Sequence, residues 1–219
     1  MDAQYHPGLV ALSLGVAFIA SLTALDMAGR LRATKGIASH LWLTGGAFSI
    51  GVGIWSMHFI GMLAMDMSTR VMYDILLTLV SFLAAILTSG LALAVVRNGK
   101  PTAGPLAAGA LLMGTGVCIM HYVGMEAMQM HGELSYDPFI FARSVLIAVG
   151  ASAAALWLVF SLNPVANQRP SFWFRVAAGM VMAVGIAGMH YTGMAATIYP
   201  EGMHMMPVDG LSPGRPRHQ

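Results

Sequence analysis

The sequence predicts an all-α membrane protein in which six transmembrane helices form a bundle. Of its 219 residues, 57% are hydrophobic and only 9% are charged, whereas soluble domains carry about 25% charged residues. The apolar residues form runs of roughly 20, the length that a helix needs to cross the hydrocarbon core. Because backbone amides in lipid must be bonded within their own segment, these runs favour helices. They lie near residues 9–27, 41–65, 73–96, 105–128, 139–162 and 172–197.

The charges around these runs predict their orientation. The first run is expected to stay in the protein as a membrane anchor, because no Lys or Arg precedes it as in a signal peptide. Basic residues then concentrate in alternate loops: Arg30, Arg32, Lys35, Arg97, Lys100, Arg169 and Arg175. By the positive-inside bias these loops face the cytoplasm. We therefore expect a multi-pass protein with both termini on the outer side of the membrane.

A nine-residue motif recurs three times at the outer ends of alternate helices. It reads MHFIGMLAM at 57–65, MHYVGMEAM at 120–128 and MHYTGMAAT at 189–197. The segments that open the partner helices also match, as Tyr5-His6-Pro7, Tyr73-Asp74 and Tyr136-Asp137-Pro138. The chain is therefore predicted to contain three tandem two-helix repeats, 5–65, 73–128 and 136–197, in one transmembrane domain of residues 1–197 with pseudo-three-fold organisation.

Small residues recur in register with the motif. Gly53, Gly116 and Gly185 each lie five residues before a motif histidine. In lipid, small residues allow helices to approach closely. We expect these glycines to pack the three motif helices against one another, with the other three helices around them.

Within each motif, the helical repeat places the histidine and later methionines on one face. His58, Met62 and Met65 form the first such stripe; the others are His121, Met125 and Met128, and His190 and Met194. Ionisable residues inside a span are costly and mark functional sites. Imidazole with thioether suits copper, especially Cu(I), better than calcium or magnesium. The motif thus predicts a metal or haem site, with hydrogen-bonded structural histidines as the alternative.

Three further sets of residues could take part. The leading methionines Met57, Met120 and Met189 are rotated about 100° from their histidines, so they could reach only a neighbouring helix's site. Cys118 is a buried packing residue or an additional ligand. His6, Asp74 and Asp137 open their helices, where the acids favour capping; alternatively, these residues accept a hydrogen bond from a metal-bound histidine.

The three motifs, with ALDMAGR at 24–30, resemble the MHYT family of bacterial integral membrane sensor domains over nearly the whole chain. The resemblance implies copper near the outer surface of the bacterial cytoplasmic (inner) membrane, where the termini would be periplasmic. It also implies sensing of a diatomic gas (oxygen, carbon monoxide or nitric oxide) or of redox state. The ligands that it implies are Met57, His58, Met62, Met120, His121, Met125, Met189, His190 and Met194.

The sequence departs from the family pattern in two places. Phe59 replaces the tyrosine found at 122 and 191, so the three sites cannot be equivalent. The family usually has a seventh helix leading to a cytoplasmic output domain, often one that makes or degrades cyclic di-GMP. This chain is expected to end outside after its sixth span. It would then be a stand-alone member or a truncated sensor that signals through a separate membrane or signalling protein.

The outer tail, residues 198–219, supports a second hypothesis. It contains four candidates for secondary metal binding, Met203, His204, Met205 and Met206. The other secondary candidates are Met65, Met128 and Cys118. Such a tail is either disordered without function or collects copper, which would indicate a copper carrier, store or importer. A haem-binding membrane protein is a weaker alternative, and zinc is less favoured than copper. We expect neither an enzyme nor a nucleic-acid partner, because the sequence shows no catalytic Cys-His arrangement, phosphate-binding Gly loop or basic patch.

Overall fold

The computed structural model describes residues 5–66, 71–98, 102–129, 134–161 and 171–199. These ranges contain six long helices: α1 Pro7–Ala33, α2 Gly36–Leu63, α3 Ile75–Asn98, α4 Ala103–Glu126, α5 Pro138–Ser161 and α6 Phe172–Ala196. All six are long and apolar enough to cross a membrane. The predicted all-α membrane fold is confirmed. The domain boundary at residue 197 stays a prediction, since residues 200–219 lie outside the described ranges.

The first two helices extend further into the polar flanks than their apolar runs indicate. Helix α1 continues to Ala33 and α2 begins at Gly36, rather than near residues 27 and 41. The added turn of α1 is stabilised by an ion pair between Arg30 Nε and Asp26 Oδ2 at 2.7 Å. Charged residues are not part of an apolar run, so the run alone does not predict this turn. Gly36 has a φ of 61°, a left-handed conformation that glycine adopts without steric cost, and so it permits the tight turn between the helices.

The six helices form a closed ring in chain order. Each helix packs mainly against its neighbours in sequence, and α1 packs against α6 to close the ring. The motif helices α2, α4 and α6 also touch one another, but so do α1, α3 and α5. The observed arrangement therefore differs from the expected one, in which the motif helices would lie inside the other three.

The recurrent glycines join the two helices of each repeat. A Cβ built at Gly53 would lie 2.7 Å from the Cβ of Ala20 on α1, and one at Gly185 would lie 2.7 Å from the Cβ of Ala151 on α5. A Cβ at Gly116 would lie closer still to the Thr88 side chain on α3. The prediction that these glycines pack the motif helices together is wrong. Five residues of helix place them about 140° from the histidine face, so they face the partner helix.

Short antiparallel pairings close the end of each repeat that carries the motif. Strands β1 (Met72–Tyr73) and β2 (Met128–Gln129) pair, as do β3 (Ser135–Tyr136) and β4 (Thr197–Ile198). In the first repeat a single bridge joins Tyr5 to Met65. One backbone bond recurs beside each pairing, from His6 N to Ala64 O at 2.7 Å, Asp74 N to Ala127 O at 2.7 Å and Asp137 N to Ala196 O at 2.8 Å. These contacts hold the three motif ends at the same level.

Candidate metal centre

The three motif histidines meet at the centre of the ring. His58, His121 and His190 are each at most 1% exposed. Their Nδ1 atoms form a triangle: 3.1 Å between His58 and His190, 3.2 Å between His58 and His121, and 3.3 Å between His121 and His190. Residues that are 63 and 69 positions apart along the chain thus present three ring nitrogens to one point. Among the described residues they form a group that could hold a metal ion.

This triangle fits a metal ion. Zinc-like ions hold imidazole nitrogens at about 2.0–2.1 Å in tetrahedral geometry, and the edge of such a tetrahedron is about 3.3 Å. The measured separations of 3.1–3.3 Å therefore match three corners of a tetrahedron. The fourth corner lies on the three-fold axis, either toward the outer surface or toward the interior.

The Nε2 atoms, on the far side of the three rings, would carry the protons if the Nδ1 atoms bound an ion. The Nε2 atoms of His58, His121 and His190 are buried and have no hydrogen-bond partner. If the three Nδ1 atoms merely bonded one another, at least one ring would carry its lone pair into the triangle and an unpaired proton on its Nε2. Each buried unpaired donor costs about 1–3 kcal/mol. An ion at the centre takes up three lone pairs, whereas hydrogen bonds within the triangle use at most two. Because the Nε2 donors stay unpaired in both cases, the metal assignment rests on the triangle of Nδ1 atoms.

Each histidine ring lies against a glycine of another motif helix. A Cβ at Gly124 would fall within 3.0 Å of the His58 ring. Gly193 has the same relation to His121, and Gly61 to His190. The contacts run cyclically from α2 to α4, from α4 to α6 and from α6 back to α2. The motif glycine therefore makes room for its neighbour's histidine, and this contact brings the three motif helices together.

A methionine cluster lies one helical turn after the histidines, toward the C-terminal ends of α2, α4 and α6. Met62, Met125 and Met194, each at most 2% exposed, pack with Met65 and Met128. The methionines that were predicted to lie on the histidine face of each helix therefore meet in one cluster at the motif ends of the three helices. Whether any of these thioethers binds the metal stays a prediction.

Tyrosine rings pack against the methionine cluster on the side away from the histidines. Tyr5, Tyr73 and Tyr199 pack against it, and the Tyr199 hydroxyl lies 3.6 Å from the Met65 sulfur. Burial raises the pKa of all three tyrosines, and the nearby Tyr5 and Tyr73 raise the pKa of Tyr199 further. The layer is therefore uncharged at neutral pH. A pocket of about 540 Å³, lined in part by Tyr5 and Tyr73, reaches Met62 and Met65.

The leading methionines are buried apart from this cluster. Met57 packs with Ala17 and Ala183. Met189 packs with Cys118 and Ala148. Met120 is 3% exposed. Their surroundings here are apolar, and their role as ligands, like that of Cys118, stays a prediction.

The helix-opening acids serve as caps. Asp74 Oδ1 accepts from Leu77 N at 2.9 Å, and Asp137 Oδ1 accepts from Ile140 N at 2.9 Å. The side chain of His6 makes no capping bond. The histidine rings of the cluster bond only to one another, so a bond from them to His6, Asp74 or Asp137 stays a prediction. Met203, His204, Met205 and Met206 lie outside the described residues.

The structure reveals a serine beside each motif that the sequence analysis missed. The Tyr122 hydroxyl lies 2.6 Å from Ser144 Oγ, and the Tyr191 hydroxyl lies 2.7 Å from Ser13 Oγ. The equivalent Ser81 is buried without a partner, since Phe59 has no hydroxyl to offer. The signal was present in the sequence, because Ser13, Ser81 and Ser144 each follow the helix-opening His6, Asp74 or Asp137 by seven residues.

Phe59→Tyr is expected to stabilise the protein by about 1 kcal/mol, because the new hydroxyl would donate to the unpaired Ser81. The measurement is the free energy of unfolding in a denaturing detergent titration. Phe48→Tyr is the matched control, since Phe48 lies on the same helix but is exposed. Equal effects of the two substitutions would contradict the Ser81 assignment.

Comparison with known proteins finds two copies of a family repeat, and each copy runs from a motif helix into the helix that follows it. Residues 51–109 and 114–169 match the MHYT family, described as a bacterial signalling protein N-terminal repeat. Each matched stretch begins seven residues before a motif histidine, at Gly51 and Gly114. No solved structure matches the chain.

Similar curated proteins are much longer than this chain. The bifunctional diguanylate cyclase/cyclic di-GMP phosphodiesterase MucR of Pseudomonas aeruginosa is 50% identical over 91% of this chain and 29% of its own length. The cyclic di-GMP phosphodiesterase NbdA of the same organism is 39% identical over 90% of this chain and 25% of its own length. The signaling protein YkoW of Bacillus subtilis is 33% identical over 94% of this chain and 26% of its own length. The chain thus spans under a third of each relative.

Proposed function

Because this chain belongs to the MHYT family of bacterial signalling proteins, we propose that it is a membrane sensor domain that binds copper and responds to a diatomic gas or to redox state. The observation that carries the proposal is the triangle of buried histidine nitrogens, 3.1–3.3 Å apart. The donor set, the position of the site and the nature of the relatives each support a part of it.

The donor set favours copper over zinc. His58, His121 and His190 would hold the ion. Three imidazoles alone suit either metal, but here a buried methionine cluster lies next to them. Thioether sulfur is a soft ligand that favours Cu(I). Copper supplies one-electron redox chemistry and affinity for diatomic gases, which zinc lacks. Ring nitrogens within 3.3 Å of one another also suit a single ion better than a haem, whose macrocycle needs space between axial ligands.

We place the site near the periplasmic side of the inner membrane. The histidines lie in the last two turns of α2, α4 and α6, at the opposite end of the bundle from Arg30 and Arg32. Basic loop residues favour the cytoplasm, so the cluster would face the periplasm and both termini would lie outside. A signal sensed there would change the packing of the helices. This change would then act on a signalling protein that is not part of residues 1–219. The names of MucR and NbdA indicate that cyclic di-GMP enzymes are suitable partners to test.

Copper-loaded protein is expected to change its optical or paramagnetic spectrum when nitric oxide or carbon monoxide is added. Zinc-loaded and metal-free protein should not respond. The response should survive deletion of residues 201–219, because the sensing residues lie in the bundle; a copper carrier would instead lose copper delivery. No spectral change with either gas would overturn the sensor proposal, and purification with zinc alone would overturn the choice of metal.

A further inference from the structure

A cavity of about 100 Å³ lies within the ring of helices. All six helices contribute to its wall. The motif helices line it with the residues one and two turns before their histidines, namely Ile54, Val117 and Ile186, then Ile50, Met113 and Met182. Because these positions continue the histidine face toward the cytoplasmic end, the cavity lies directly inward of the histidine cluster.

The wall of the cavity is almost entirely hydrocarbon and thioether. Its polar groups are four hydroxyls, those of Ser21, Thr88, Ser89 and Ser152. Ser21 Oγ donates to Ala17 O at 2.8 Å, whereas Ser89 Oγ is buried and has no hydrogen-bond partner. Ordered water in a cavity requires about two to four polar partners, whereas cavities lined by aliphatic side chains stay dry and accept xenon or benzene. The apolar area of the wall therefore favours a small apolar occupant, and the hydroxyls make ordered water its competitor.

The two sides of the histidine cluster differ in access. On the outer side, a pocket of about 540 Å³ reaches Met62 and Met65, and the buried Met62, Met125 and Met194 lie one helical turn beyond the histidines. On the inner side, single aliphatic side chains at positions 54, 117 and 186 separate the rings from the cavity. A molecule held in the cavity is therefore one layer of side chains away from the fourth corner of the tetrahedron on its inner side.

We propose that this cavity binds a small apolar molecule of the size of a diatomic gas and presents it to the inner face of the histidine cluster. Such gases dissolve in the lipid interior, so they can reach the cavity without passing the methionine cluster. The binding step concerns the protein alone and holds without copper. Presentation to the histidines rests on the proposed function.

Xenon tests the binding step in metal-free protein. Crystals of the full chain under xenon pressure are expected to show an anomalous peak between Ile54, Val117 and Ile186. Ala155→Leu on α5, which fills the cavity, should abolish the peak. Ala142→Leu, an exposed change on the same helix, should leave it unchanged. Ala24→Leu on α1 fills the same cavity and replaces Ala155→Leu if that variant fails to fold. Ordered water in place of xenon would overturn the binding proposal.

The rate of gas response tests the presentation step. In copper-loaded protein, Ala155→Leu is expected to slow the spectral response to nitric oxide at least tenfold at unchanged copper content. Ala142→Leu should respond at the original rate. An unchanged rate in Ala155→Leu, with xenon binding lost, would overturn presentation through the cavity. Absence of any gas response in the unmodified protein would overturn the sensor proposal, while the xenon result would still decide the cavity.

Discussion

Replacing any one of the three motif histidines with alanine is expected to remove most of the copper from the purified protein. Each substitution leaves two nitrogens of a triangle whose members lie 3.1–3.3 Å apart. Loss of a hydrogen-bond partner outside the ligands typically lowers metal affinity by about 10–100-fold, so loss of a ligand should exceed that range. The measurement is the copper-to-protein ratio for His58→Ala, His121→Ala and His190→Ala. The unmodified protein should carry copper at a near-integral ratio.

His40→Ala is the matched control for these three variants. His40 lies on α2, as His58 does, but it is exposed and its ring bonds only to the Gly36 carbonyl at 3.0 Å. It should retain full copper. Full copper in all three motif variants would refute the metal assignment and favour three structural histidines. Loss in one variant alone would show that the ion is bound at one repeat rather than at the shared centre.

Much of this centre could be predicted from the sequence, because the face of a helix on which a residue lies depends only on local spacing. The spacing within the motif and the 3.6-residue helical repeat were enough to place His58, Met62 and Met65 on one face of α2. In the structure this face meets the equivalent faces of α4 and α6. The apolar runs predicted all six helices, although they missed the polar last turns of α1.

What could not be predicted is which helix each side chain meets. The sequence shows that Gly61 lies near its own His58, but the ring that it accommodates is His190, 129 positions away. Gly53 was assigned to the wrong neighbour for the same reason: a small residue permits close approach without specifying the partner. The unpaired Ser81 was visible as part of a seven-residue spacing, yet only the Tyr122–Ser144 bond showed why that spacing matters.

Alanine at any of the motif glycines is expected to disrupt the centre although no ligand is changed. A Cβ at Gly61, Gly124 or Gly193 would fall within 3.0 Å of a histidine ring. The ring cannot retreat, because its Nδ1 side already contacts the other two histidines. Overpacking of this kind costs about 1–3 kcal/mol, which exceeds the 0.5–1 kcal/mol or so that alanine contributes to a helix. Lower unfolding free energy and lower copper content should therefore appear together.

Gly45→Ala separates this effect from helix propensity. Gly45 lies on α2, as Gly61 does, but nothing is within 4 Å of a Cβ built there. Alanine at this position is expected to stabilise the helix by up to about 1 kcal/mol and to leave copper unchanged. The same backbone change on one helix should thus have opposite signs, depending only on whether a neighbouring histidine ring fills the space. If Gly61→Ala matched Gly45→Ala in both stability and copper content, the cyclic packing of histidine against glycine would be refuted.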